Sequence, residues 1–167
     1  FVSDQVDRPD ATVSASLLLA AGAQVILPNV FQYFRDRSAP GIGPAGSGYV
    51  GALFVTSSDG DLSGIVVGAR TSAPGGGGRY GLFYPATPFG SASTESAWLY
   101  GLRQDGANRT NLALVNTGES GSGDDVFAVD GFDGATGQPV HTEEGLMVGT
   151  RRWRQENNVL SRWAPGV

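Results

Sequence analysis

The sequence predicts an all-β protein, two β-sandwich units with short helical turns, and three observations lead there. Apolar residues recur with a period of two in several runs, the spacing of strands with one buried face. Gly-rich and Asp-Gly turn signals punctuate the chain about every ten residues. One passage also occurs twice. Phe1-Val2-Ser3-Asp4 opens a stretch that runs through Leu17-Leu18-Leu19 and Asn29-Val30 to Ala39-Pro40-Gly41-Ile42. Phe127-Ala128-Val129-Asp130 opens another, through Gly145-Leu146-Met147-Val148 and Asn158-Val159 to Ala164-Pro165-Gly166-Val167. Similarity at so long a spacing reads as repeated structural units.

The elements follow in order. Val13, Ala15 and Leu17 alternate with Thr12, Ser14 and Ser16, so Ala11 to Leu19 reads as a strand, and Gln24 to Leu27 as a shorter one. Asn29 can cap a helical turn over Val30 to Arg37, with Val30, Phe31 and Phe34 on one face and Gln32, Arg35 and Asp36 wet. Asn158 precedes a matching turn, Val159 to Trp163. Both turns end at Ala-Pro-Gly, where Pro cannot continue a helix and Gly accepts positive φ. Tyr49 to Val55 and Ile65 to Ala69 read as a hairpin across Ser57-Ser58-Asp59-Gly60-Asp61. Gly75 to Gly78 reads as a flexible joint. Arg79 to Tyr84 follows, and then a second hairpin, Ser96 to Leu102 with Asn111 to Val115, turning at Gln104 to Asn108. The expected organisation is a first unit over 1–74, a joint and connecting strand over 75–95, and a second unit over 96–167. Each unit is of immunoglobulin-like size.

Composition narrows the chemistry. A chain of 167 residues, 40% of them hydrophobic, can bury a real core. It has no cysteine, which removes disulfides, thiolate metal sites and cysteine nucleophiles. It has no lysine either, so P-loop, Schiff-base and Lys-Asn cross-link chemistry are excluded. A net charge of -5 disfavours nucleic acid. The one dense basic cluster, Arg151, Arg152 and Arg154, alternates around Trp153 and reads better as a strand face than as a phosphate site. No apolar run approaches the roughly twenty residues of a membrane span. Phe1 is not an initiator methionine, so the chain is expected to be processed or trimmed.

Candidate sites are few, and each has a plainer competitor. The single histidine, His141, lies beside Glu143 and Glu144 in a polar stretch, with no Gly-x-Ser-x-Gly elbow to suggest a serine triad. The carboxylate pairs at Asp59 and Asp61, Asp124 and Asp125, Asp130 and Asp133, and Glu143 and Glu144 are explained by turns and solvated edges. Glycosidase chemistry would need two of them facing across a cleft. Calcium could use Asp59 with Asp61, or Asp130 with Asp133, but neither stretch has EF-hand spacing. The sequence therefore predicts no catalytic residues, no cofactor and no metal. Asn108-Arg109-Thr110 is the only glycosylation sequon and falls in an expected turn, making Asn108 a glycan candidate. Ser91 to Ser96 offers O-linked alternatives. Tyr80, Tyr84, Trp98, Tyr100, Trp153 and Trp163 would form a sugar-stacking platform if they faced outward, and core if they did not.

Three stretches carry a resemblance: Gly78-Arg79-Tyr80-Gly81-Leu82-Phe83-Tyr84, Trp98-Leu99-Tyr100-Gly101-Leu102-Arg103-Gln104, and Asn108-Arg109-Thr110-Asn111-Leu112-Ala113-Leu114-Val115-Asn116-Thr117-Gly118. With them the chain resembles uncharacterised repeat modules of large secreted or surface proteins from environmental bacteria. In such modules the Arg-Thr-Asn-Leu-Ala-Leu-Val strand opens each unit. A hairpin at Phe-Asp-Gly, an Asn-Val helical turn and two closing strands follow. The first copy here lacks the opening strand and the second lacks the closing ones. The resemblance and the cut repeat imply a secreted subunit of an extracellular fibril, polymerising with copies of itself and carrying glycans, with no enzymatic activity. A carbohydrate-binding or adhesive module is the alternative. Strand addition would cover an open sheet in both backbone and core. The expected donor is the segment Phe1, Val2, Ser3, Asp4, Gln5, Val6 and Asp7, with the segment from Asn158 to Val167 as a second candidate.

Overall fold

The computed structural model describes residues 1–3, 12–75, 77–93, 95–121 and 123–165. Its elements are β1 (Val2–Ser3), α1 (Val30–Asp36), β2 (Gly51–Ala52), β3 (Gly68–Arg70), β4 (Ala73–Gly75), β5 (Gly78–Tyr80), β6 (Phe83–Pro85), β7 (Leu112–Val115), β8 (Asp125–Phe132), β9 (Pro139–Val148), β10 (Trp153–Glu156) and α2 (Val159–Trp163). The chain is mostly β. Its strands pair only in twos, antiparallel throughout: β1 with β2, β3 with β6, β4 with β5, β7 with β10 and β8 with β9. It packs as two units, Phe1–Leu53 with Leu99–Val167, and Phe54–Trp98.

In the larger unit, the β8–β9 hairpin is set by its turn. The Asp133 carboxylate accepts the Ala135 amide at 2.7 Å and the Thr136 hydroxyl at 2.9 Å, and the Gly137 amide returns to the Asp133 carbonyl at 2.7 Å. Gly137 takes the positive φ this turn needs. The ladder runs from Asp125 opposite Val148 to Phe132 opposite Pro139. Between Phe127–Leu146 and Val129–Glu143, β9 places Glu144 and Gly145 against Ala128 alone, a bulge for which Gly145 supplies a φ of 73°. Leu146 and Val148 turn inward, and Val159 and Trp163 of α2 are buried with them.

Two polar arrangements fix the ends of these strands. Asn116 is 2% exposed. Its amide donates to the carbonyls of Gly123 (3.2 Å) and Val148 (3.1 Å), and its oxygen accepts the Gly118 amide (2.8 Å). The end of β7 is thereby tied to the end of β9. Glu156, at the end of β10, accepts from Arg154 Nε and Arg162 Nη1, each at 2.8 Å, so α2 is clamped to the strand before it. The Asn158 amide reaches Asn111 Oδ1 (3.1 Å) and the Val159 amide reaches the Thr110 carbonyl (3.0 Å).

The amino-terminal part of this unit is an aromatic cluster. The Phe1 ring meets Phe31 edge-on at 4.9 Å, and Phe31 stacks on Tyr49 at 4.9 Å. Phe1 and Val13 exchange both backbone bonds, at 2.8 and 3.0 Å. Val13 and Phe34 are buried. Asn29 caps α1 as its sequence predicts: extended at φ −147°, it accepts the Gln32 amide at 3.0 Å. Asn158 does not cap α2. Its left-handed backbone, φ 50°, turns the side chain away, and the Thr110 carbonyl serves the first helical amide instead.

Several expected pairings are replaced. Thr12 makes only an isolated bridge, residues 13–19 and 24–27 form no strand, and Ala11 lies outside the described residues. Gly51–Ala52 pair with Val2–Ser3, and Gly68–Arg70 with Phe83–Pro85, rather than with each other. The Asp59 and Asp61 carboxylates bind the amides of Asp61 and Ser63, which coils the connection locally. Bare Gly68 gives the Phe83 ring room: a Cβ there would meet Phe83 Cζ at 2.5 Å. Ser96 to Leu102 forms no strand; Gly101, at φ 68°, breaks the pleat, and β7 pairs with β10. Gly75 and Gly78, of the expected joint, are strand residues that pair with each other.

Asn116→Ala removes the amide that meets the buried Val148 carbonyl, and is expected to lower unfolding free energy in urea by about 2 kcal/mol. A change under about 0.5 kcal/mol, the scale of a surface substitution, would contradict the tie between β7 and β9.

Candidate functional site

The residues with chemical potential are placed apart from one another. His141, on β9, stacks on Trp163 with ring centres 5.2 Å apart, and its Nε2 lies 3.1 Å from Glu143 Oε2. Its contacts are those of a wall residue beneath α2. Asp130 accepts the Thr142 hydroxyl at 2.7 Å, and Asp125 the Ser120 hydroxyl at 3.5 Å. Asp59, Asp61 and Asp133 hold turns, and their carboxyls lie below the ordinary range. The leading causes are the Ser57 hydroxyl for Asp59, the Ser63 amide for Asp61 and the Ala135 amide for Asp133. Among the described residues, no three acidic or histidine side chains converge on a point that could hold a metal ion.

The sequon folds into a tight turn. Asn108 Nδ2 donates to both Asp105 oxygens, at 2.8 and 2.9 Å, and Asp105 also takes Arg103 Nε at 2.6 Å. The Thr110 hydroxyl donates to the Arg103 carbonyl at 2.7 Å. Asn108 is exposed. Of the basic cluster, Arg154 lies on β10 against Glu156, while Arg151 sits in the preceding turn at φ 54°. The two do not share a strand face, because β10 begins only at Trp153.

What the structure does gather is apolar surface without cover. In Phe54–Trp98, no described residue is buried. Val66 is 97% exposed, and Leu82, Phe83, Phe89 and Trp98 also stand in solvent. In the larger unit Leu18 is 91% exposed and Leu53 is exposed too, as is Val55 of Phe54–Trp98. The sheets match this. Each has two strands, so each strand has an edge with no strand against it among the described residues, and the longest are those of β8 and β9. Such edges and patches are where other chains dock. The alternation of these runs was visible in the sequence, but their exposure was not.

The expected donors are placed as follows. Val2 and Ser3 pair with Ala52 and Gly51 of the same chain, and Phe1 with Val13. Asp4, Gln5, Val6 and Asp7 lie outside the described residues. Residues 159–163 form α2, whose Val159 and Trp163 are buried. Of the aromatics, Tyr84, Trp98 and Tyr100 are exposed, Trp153 is half-buried and Trp163 is buried.

The Arg162 hydrogen bond, followed by Arg154, holds the Glu156 carboxyl below its ordinary value of 4.5. A depressed folded-state value means that the clamp stabilises the fold above the ordinary carboxylate range and is lost as pH falls through it. The unfolding midpoint is expected to drop below about pH 4.5, and Glu156→Gln should show a smaller drop. An unchanged pH dependence in that variant would remove the clamp from the account. The chain matches no protein-family model, and comparison with curated proteins and solved structures found no match.

Proposed function

We propose that this chain is a non-enzymatic structural subunit of an extracellular fibril, polymerising head to tail as strands of one copy complete the sheets of the next. The observation that carries this reading is apolar surface on two-stranded sheets. Among the described residues every sheet has two strands, and Phe83 and Tyr84 of β6, Val126 and Phe132 of β8 and Met147 of β9 are exposed, which is the surface that strand addition covers. A contact that joins unlike faces and does not close gives a filament.

The paired passages support the same reading. Each has a Phe-led segment bonded to a later run, Phe1 to Val13 and Phe127 to Leu146, and a short helix after an asparagine. In this proposal they are two copies of one sandwich module of immunoglobulin-like size, and a glycan on Asn108 would sit clear of the strands.

A carbohydrate-binding or adhesive module is the second reading, and the exposed rings of Tyr84, Phe89 and Trp98 favour it. One experiment separates the two. Negative-stain electron microscopy with sedimentation of the purified chain should show filaments that persist in 1 M NaCl, since salt at that level screens charges and leaves apolar contacts intact. Monodisperse 17.3 kDa particles that co-sediment with insoluble polysaccharide would overturn the fibril reading and establish the second.

A further inference from the structure

Resting on that reading, we infer that the free edge of β8 is the acceptor, and that its occupant is the Gly51–Val55 segment of a second copy. Within one chain, Gly51 and Ala52 already show how such a strand docks. They lie antiparallel against β1, with Val2 opposite Ala52 and Ser3 opposite Gly51, while Phe1 bonds to Val13. Residues 1–3 are thus bonded to Val13 at Phe1 and to Ala52 and Gly51 through β1. The matching passage aligns Phe1 with Phe127, Val2 with Ala128 and Ser3 with Val129. Phe127 has its own partner, Leu146 on β9, but no strand lies on the other side of β8 among the described residues.

Transferring the register gives Ala128 opposite Ala52 and Val129 opposite Gly51. Continuing antiparallel brings Leu53 to Phe127, Phe54 to Val126 and Val55 to Asp125. The inner-face side chains then agree with the burial, while half-buried Ala52 and Phe54 take the outer face. Phe127 and Val129 lie on the half-buried face of β8, and Val126 and Ala128 on the exposed one. Residues directly opposite share a face. Leu53 and Val55, both exposed in the single chain, therefore join the face that leads to Leu146 and Val148, and Ala52 joins the outer one. A register one residue off would turn both outward. Tyr49 stays anchored by Phe31, and the segment pivots beyond it. Exchange of an identical element between copies is a low-cost route to assembly.

The absence of native cysteine makes the test direct. Unlabelled Ala128→Cys chains are mixed with ¹⁵N-labelled Ala52→Cys chains under assembly conditions, oxidised, and read by intact mass. Ala128→Cys mixed with Thr56→Cys is the off-register control. The mixed 128–52 disulfide is expected at least about ten-fold above the control, since only directly opposed Cβ atoms come within bonding reach. Light scattering on the same samples separates two failures. Scattering with no 128–52 enrichment overturns this acceptor while leaving polymerisation standing. No scattering and no mixed disulfide overturns both.

Discussion

A strand in a two-stranded sheet satisfies its backbone on one side only, and every sheet among the described residues has two strands. The other row of amides and carbonyls must find water or another chain, and the side chains above it must find cover. On these strands Phe83 and Tyr84 of β6, Val115 of β7, Val126 and Phe132 of β8 and Met147 of β9 are exposed, beside charged and proline residues of the kind that blunt an edge. That combination makes the isolated chain a poor final state. It is the physical root of the proposal that copies complete one another.

The larger unit has the makings of a preformed acceptor. Asn116 holds the end of β7 to the end of β9, Glu156 holds α2 to β10, and Val159 and Trp163 pack beneath Leu146 and Val148. These contacts link the strand ends and α2, and among the described residues no strand other than β9 lies against β8. Phe54–Trp98 is different. Its β3–β6 and β4–β5 pairs are short, and the fit of Phe83 over Gly68 is made without enclosing either residue. A unit of this kind gains little by folding alone, since small domains bury the smallest share of their surface.

Local signals were legible in the sequence. Asn29 before Val30-Phe31 gave the capped helix, and Trp153 between arginines belonged to a strand. The Asp133 turn, in the hairpin implied by the resemblance, formed through its side chain. Partnerships were not legible. A period of two tells which residues share a face but not which strand lies alongside, so β1–β2, β3–β6 and β7–β10 replaced the neighbouring hairpins expected from short connections. Asn158 looked like Asn29 yet took a left-handed backbone. The polar anchors were missed for a related reason. Asn116 and Glu156 read as surface residues, and only the distant carbonyl of Val148 and the guanidinium of Arg162 give them work inside.

The central claim is that the unpaired backbone of this chain is paired by other copies, and amide hydrogen exchange followed by mass spectrometry tests it most directly. Comparing dilute with concentrated chain, the account predicts strong slowing of exchange across residues 51–55 and 125–132 on assembly, with the already paired β9 changing much less. Exchange in those two segments that stays fast and independent of concentration would contradict it.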